Sequence, residues 1–197
     1  MGRSAVKETH YTREEYLAAE DQANGKSEFY DGEIIVMAGG SRNHSVICFN
    51  LIRRIGEGID DKDCVGFDSN MKLDITEHNV FVYPDVMVVC GEIEFSEDRT
   101  DIIKNPVLII EVLSPGTEGF DRGNKFAYYR SLPSFQEYVL VAQHKPMVEI
   151  YHKQEENKWL YSVSKTPEES VFLQTIQHEL FLKDIYHKVD WGRESAD

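Results

Sequence analysis

Four charged side chains stand where folding alone gives them little reason to be. Glu111 interrupts the aliphatic run Val107-Leu108-Ile109-Ile110-Glu111-Val112-Leu113. A buried, unpaired carboxylate is costly, so this residue is either salt-bridged to a core-facing Lys or Arg or used for chemistry. Asp85 follows a proline in Tyr83-Pro84-Asp85-Val86, Lys125 sits in Asp121-Arg122-Gly123-Asn124-Lys125-Phe126, and Glu28 lies in Ser27-Glu28-Phe29-Tyr30. Taken singly, Asp85 begins a strand or caps a turn, Lys125 is a solvated helix residue and Glu28 carries little signal. Taken together they are the parts needed to hydrolyse a phosphodiester. The anionic oxygens of that ester repel a nucleophile, and Mg²⁺ or Mn²⁺ withdraws the charge and acidifies a bound water. Such hard ions take carboxylate, carbonyl and water oxygens. Asp85 and Glu111 are the candidate metal ligands, with the main-chain carbonyl of Val112 as a third. Lys125 is the candidate for orienting the nucleophile or steadying developing charge, and Glu28 for a second ion or an oriented water. His44 is an auxiliary candidate, for phosphate contact or proton movement; its plainer role is packing at a helix N-terminus.

The elements that must position these residues read as follows. Thr12, with Glu15 three residues on, forms a capping box and starts a helix to Asp21. Asp31-Gly32 between two strand-like runs, within Ser27 to Met37, predicts a tight hairpin. Ser41 caps a second helix to about Ile59. Strands are expected over Val65 to Leu73, Val80 to Cys90 and Pro106 to Leu113, the last a central strand covered on both faces. A helix opening at Glu118 or Asp121 runs through about Ser131, placing Lys125 and the aromatic pair Tyr128-Tyr129, which at helical spacing reads as core. Further strands cover Glu137 to Ala142, Met147 to Tyr151 (joined by the turn Gln143 to Pro146), Trp159 to Val163 and Ser170 to Leu173. Phe181 to Trp191 carries at most a short helix, and the C-terminal end is polar. Helices interleaved with strands predict an α/β class with a mixed sheet.

With these residues in this order, the chain resembles a bacterial family assigned to the endonucleases. That family, long described as a domain of unknown function, sits within the PD-(D/E)XK, or restriction-endonuclease-like, superfamily. The resemblance rests on Glu28…Asp31-Gly32-Glu33-Ile34, His44, Tyr83-Pro84-Asp85-Val86, Glu111-Val112-Leu113-Ser114-Pro115 and Asp121-Arg122-Gly123-Asn124-Lys125. It spans about Tyr11 to Trp191. It implies a restriction-endonuclease-like core, with a central mixed β-sheet flanked by helices and an added N-terminal helix and β-hairpin, in a single domain over 1–197. It implies Asp85 and Glu111 as metal ligands. The superfamily pattern puts its lysine two residues after the acidic ligand, where this chain has Leu113; the lysine of this family lies on the following helix, a position that Lys125 matches.

Bulk properties narrow the choice. A formal net charge of −14 argues against binding nucleic acid by overall electrostatics. A bound cation or a local basic surface is therefore required if DNA is the substrate. The three cysteines, Cys48, Cys64 and Cys90, are odd in number and widely spaced, which predicts free thiols with no disulfide framework and no zinc motif. The polar start Met1 to Glu8 and the lack of a long apolar run predict a cytoplasmic protein without a membrane span. No Gly-rich phosphate loop, His-Glu-x-x-His or Gly-x-Ser-x-Gly motif occurs. The expected activity is Mg²⁺-dependent cleavage of DNA, by a homodimer if both strands of a duplex are cut. The alternative is a catalytically inactive nuclease-fold module that meets partners through its acidic surface. A two-carboxylate glycosidase explains Asp85 and Glu111 but leaves Lys125 without a role.

Overall fold

The computed structural model describes residues 10–96 and 98–192. Residues 1–9, which include the polar start Met1 to Glu8 considered above, and 193–197 lie outside them.

Two sheets form the body. The larger has the order β11-β10-β9-β8-β6-β3, built from β3 (Cys64–Asp68), β6 (Val86–Cys90), β8 (Leu108–Leu113), β9 (Glu137–Ala142), β10 (Val148–Glu155) and β11 (Lys158–Ser164). It is mixed: β8 runs parallel to β9 and antiparallel to β6. The second sheet has the order β2-β1-β5-β4-β7, from β1 (Ser27–Tyr30), β2 (Glu33–Val36), β4 (Lys72–Ile75), β5 (Val80–Val82) and β7 (Ile102–Ile103). A small ribbon pairs β12 (Ser170–Leu173) with β13 (His178–Phe181). The two-residue β7 and the strand β13 were not foreseen from sequence.

β8 is buried along its whole length, and its side chains alternate between two cores. Leu108, Ile110 and Val112 join Val139 and Val141 of β9 beneath α2 (Arg42–Ile59), whose inner face is Ile47, Leu51, Ile55 and Ile59. Ile109 and Leu113 join Tyr138 and Leu140 of β9 on the other face, with Tyr129 and Phe135. That second face is covered by α3 (Glu118–Phe120), a π turn (Asp121–Lys125) and α4 (Phe126–Tyr129), which follow one another without a break. α1 (Arg13–Glu20) packs Tyr16 on Phe29 and Phe81 of the second sheet. α5 (Leu182–Ile185) closes the end of the α2 side.

The local signals hold. Thr12 and Glu15 form the reciprocal capping box. Asp31 (φ 45°) and Gly32 (φ 100°) both take positive φ in the two-residue turn that pairs Tyr30 with Glu33. Ser41 accepts the His44 N–H at 3.1 Å.

Two expectations need correction. The runs Val65 to Leu73 and Val80 to Cys90 are not single strands. Each breaks and passes between the sheets, the first at 69–71, where Asp68 accepts the Asn70 N–H at 2.9 Å in a side-chain turn. The second breaks at 83–85, around Pro84. The cysteine reading also fails: Cys64 and Cys90 are directly paired residues of β3 and β6 and form a disulfide, leaving Cys48 free. A sequence separation of 26 hides a cross-strand adjacency. Among the described residues no helix is long and apolar enough to cross a membrane.

Candidate active site

The break at Pro84 builds the site. The β6–β8 ladder ends with Val86 opposite Ile110. Continued by two more pairs, it would place Asp85 opposite Glu111 and Pro84 opposite Val112. Proline has no N–H to donate, so the ladder stops there. The Val112 N–H turns instead to Asp85 Oδ2, at 2.8 Å. A strand residue points its N–H and C=O to the same side, so the Val112 carbonyl looks into the same gap with no donor from Pro84 to engage it. The Asp85 N–H in turn lies 3.4 Å from Glu111 Oε2.

Glu111 shares the face of Ile109 and Leu113 and meets the helical segment above it. Its Oε1 accepts Tyr129 O–H at 2.6 Å and lies 3.3 Å from Lys125 Nζ. Lys125 also lies 3.3 Å from Glu28 Oε1 and 3.5 Å from Asp121 Oδ1. The i→i+5 bonding of the π turn widens the helix, so that Asp121 and Lys125, its first and last residues, both point to the sheet. Glu28 arrives on β1 with its own supports, Tyr83 N–H at 3.2 Å and Tyr30 O–H at 2.6 Å. Tyr30 lies two residues along the same strand and so on the same face. From the α2 side, His44 Nε2 lies 3.3 Å from Asp85 Oδ2, and His44 Nδ1 lies 3.5 Å from Cys48 Sγ.

Glu111 is 4 % exposed, Lys125 8 %, Glu28 8 % and Asp121 3 %, so these charges interact with little screening. Burial pushes the Glu111 carboxyl up to about 8, opposed by the Lys125 ammonium and seconded by Asp85 and Asp121. Burial also raises Asp121, again against Lys125. For Lys125, burial disfavours the ammonium, but Glu111, Glu28 and Asp121 outweigh it and hold the group well above the usual lysine range. Burial likewise opposes the charged form of His44, and Asp85 overcomes it to raise the imidazole.

All the residues singled out from sequence meet here: Asp85, Glu111, Val112, Lys125, Glu28 and His44. Sequence reasoning missed Tyr129, Asp121 and Cys48. Tyr129 is fully buried and reads as core, which it also is; Asp121 had stood only as a possible helix start.

The donor set fits a hard divalent cation. Asp85, Glu111, Glu28 and Asp121 set four carboxyl groups against one ammonium, an excess that a proton or a cation must balance. The oxygens of Asp85, Glu111 and the Val112 carbonyl are the ligand type that Mg²⁺ and Mn²⁺ select.

Residues 13–183 match the family model "Uma2: Putative restriction endonuclease". Two uncharacterized proteins of Synechocystis sp. (strain ATCC 27184 / PCC 6803 / Kazusa) are similar in sequence. Protein sll1609 is 45 % identical over 149 residues, 76 % of this chain and 84 % of its own. Protein slr1290 is 40 % identical over 149 residues, 75 % of this chain and 76 % of its own. The fold matches a crystal structure from Anabaena variabilis ATCC 29413, described as "a putative nuclease belonging to DUF820", with a TM-score of 0.73 at 20 % identity over 89 % of this chain and 97 % of that one. The expected restriction-endonuclease-like α/β fold is thus observed, and the family's description makes the function nuclease-like. The chain belongs to the Uma2 family.

Proposed function

We propose that this protein is a divalent-cation-dependent endonuclease that hydrolyses phosphodiester bonds in DNA. The observation that carries the reading is the meeting of Asp85, Glu111, Lys125 and Glu28, from four separate stretches, around the ladder gap beside Val112. Asp85, Glu111 and the Val112 carbonyl would hold Mg²⁺ or Mn²⁺. When bound, that cation supplies charge withdrawal from the phosphodiester and acidifies a water. The rest is done by the chain. Lys125 fixes the Glu111 carboxylate and directs positive charge at the gap, where the phosphoryl oxygens gain charge during attack. Glu28 anchors Lys125 and is itself held by Tyr83 and Tyr30. Tyr129 orients Glu111 through its hydroxyl, and His44 orients Asp85 through Nε2.

The overall charge is reconciled locally. A cavity of about 520 Å³ beside α2 is lined by Arg42, Arg53, His187 and Lys188, with Phe49 in its wall. None of these four cationic or basic residues forms an ion pair with a carboxylate among the described residues. Arg42 and Arg53 fall on one face of a helix whose first turn carries His44, about 16 Å apart, a span that covers several phosphates of a strand. Two copies of the chain, each with one such site, would serve the two strands of a duplex.

The test is a cleavage assay on duplex, single-stranded and branched DNA with Mg²⁺, Mn²⁺ or chelator. Cleavage should require the cation and fall by more than about 100-fold in Asp85→Asn, since removing even an outer-shell partner of a metal costs 10–100-fold. Undiminished cleavage in chelator, or by Asp85→Asn, overturns the reading.

A further inference from the structure

Cys48 takes no part in the chemistry above, yet it stands at its edge. It lies one helical turn from His44 on α2, so both side chains share a face. His44 is placed between two partners: Nδ1 is 3.5 Å from Cys48 Sγ, and Nε2 is 3.3 Å from Asp85 Oδ2. One ligand atom from each of the three residues lies within 4.8 Å of the other two. Cys48 is the free cysteine of the chain, its two counterparts being joined to each other.

A nitrogen, a sulfur and an oxygen make a different set from the all-oxygen gap next to it. Hard cations avoid thiolate; borderline and soft ones select it. The spacing agrees. A tetrahedral Zn²⁺, about 2.0–2.1 Å from nitrogen and about 2.3 Å from sulfur, holds those two atoms about 3.6 Å apart. His44 now faces Cys48 with Nδ1, at 3.5 Å, and Asp85 with Nε2, at 3.3 Å. One nitrogen serves one ion, so binding requires the imidazole to turn, while the helix itself stays in place because one donor atom of each residue already lies within 4.8 Å of the others. Three protein ligands leave the fourth position for water.

We propose that His44, Cys48 and Asp85 form a binding site for a thiophilic divalent cation, Zn²⁺ foremost, and that its occupation inhibits the neighbouring centre by removing Asp85 from it. The inhibitory half rests on the endonuclease reading; the binding half does not. Binding exchanges the Cys48 thiol proton, released to solvent, for a sulfur–metal bond, with no change of oxidation state.

The probe is Co²⁺, added to protein with its disulfide intact. Thiolate-to-Co²⁺ charge-transfer absorption in the near ultraviolet should appear with the visible bands of a four-coordinate ion, and stoichiometric Zn²⁺ should abolish both. Cys48→Ser should lose the charge-transfer band and bind Zn²⁺ at least about 100-fold more weakly. The same variant should keep its Mg²⁺-dependent cleavage while losing sensitivity to micromolar Zn²⁺. Cys48→Ala, checked by circular dichroism, separates loss of the ligand from misfolding. Absence of a charge-transfer band, or its persistence in Cys48→Ser, overturns the site and leaves His44 and Cys48 as a simple hydrogen-bonded pair. Equal Zn²⁺ inhibition of wild type and Cys48→Ser overturns the inhibitory role. If no cleavage is found under any condition, the endonuclease reading falls, while the Co²⁺ spectrum and Zn²⁺ affinity still decide the site.

Discussion

Tyr129 donates its hydroxyl hydrogen to Glu111 Oε1 at 2.6 Å, bridging α4 to the central strand at the one polar position of that strand. Lys125 approaches the same oxygen at 3.3 Å. The carboxylate is thus gripped from above by a neutral and a charged donor, which fixes its Oε1 and leaves Oε2 towards Asp85.

Tyr129→Phe keeps the ring packing against Phe135 and Tyr138 and deletes only the hydroxyl. Loss of a hydrogen bond to a charged group should lower stability by about 1.5–3 kcal/mol, read from urea unfolding. If Tyr129 positions Glu111 for metal, the Mg²⁺ dissociation constant should also rise. An unchanged affinity would confine this residue to a structural role.

Lys125→Met tests the charge balance. It preserves the bulk of the stem but leaves Glu28, Glu111 and Asp121 without their common counter-ion. Breaking such a buried arrangement costs about 3–5 kcal/mol, and the loss should shrink when Mg²⁺ replaces chelator, because a bound cation supplies the missing charge. A destabilisation below about 1 kcal/mol in chelator would mean that these carboxyls are held neutral rather than paired.

The basic cavity beside α2 predicts a salt signature. Each phosphate contact contributes about 0.9 to the slope of log affinity against log salt for duplex DNA. Arg53→Ala combined with Lys188→Ala should weaken DNA binding at low salt and flatten that slope by about 2, leaving Mg²⁺ affinity unaltered. A slope equal to that of the wild type would move the DNA path elsewhere.

The Cys64–Cys90 link predicts a thiol count and a stability difference. Denatured, unreduced protein should titrate one thiol, Cys48, and reduced protein three. Closing a loop of this length contributes about 3 kcal/mol, so reduction, or Cys64→Ser, should shift the urea midpoint downward. Three titratable thiols without reductant would show that the strands pair without the bond.

Short-range chemistry was readable from the chain itself. The Thr12–Glu15 box, the Asp31-Gly32 turn and the Ser41 cap each depend on residues within four positions of one another, so neighbouring residue types suffice to determine them. Glu111 announced itself because a carboxylate within a buried aliphatic strand demands a partner. Pro84 was visible too, although its consequence was not: reading a continuous strand through it missed that the absent N–H ends the β6–β8 ladder opposite Val112. Partners separated by tens of residues were decided only by tertiary packing. Tyr129 lies over Glu111 because α4 covers that face of β8, and a buried tyrosine looks like core until its hydroxyl's neighbour is known. Cys64 reaches Cys90 because β3 pairs with β6, and Cys48 reaches Asp85 through His44 because α2 covers the opposite face. The sequence determined which residues could carry charge, ligate or turn the chain; which of them meet was set by strand register and helix packing, whose energy comes from long-range burial that no local window of residues contains.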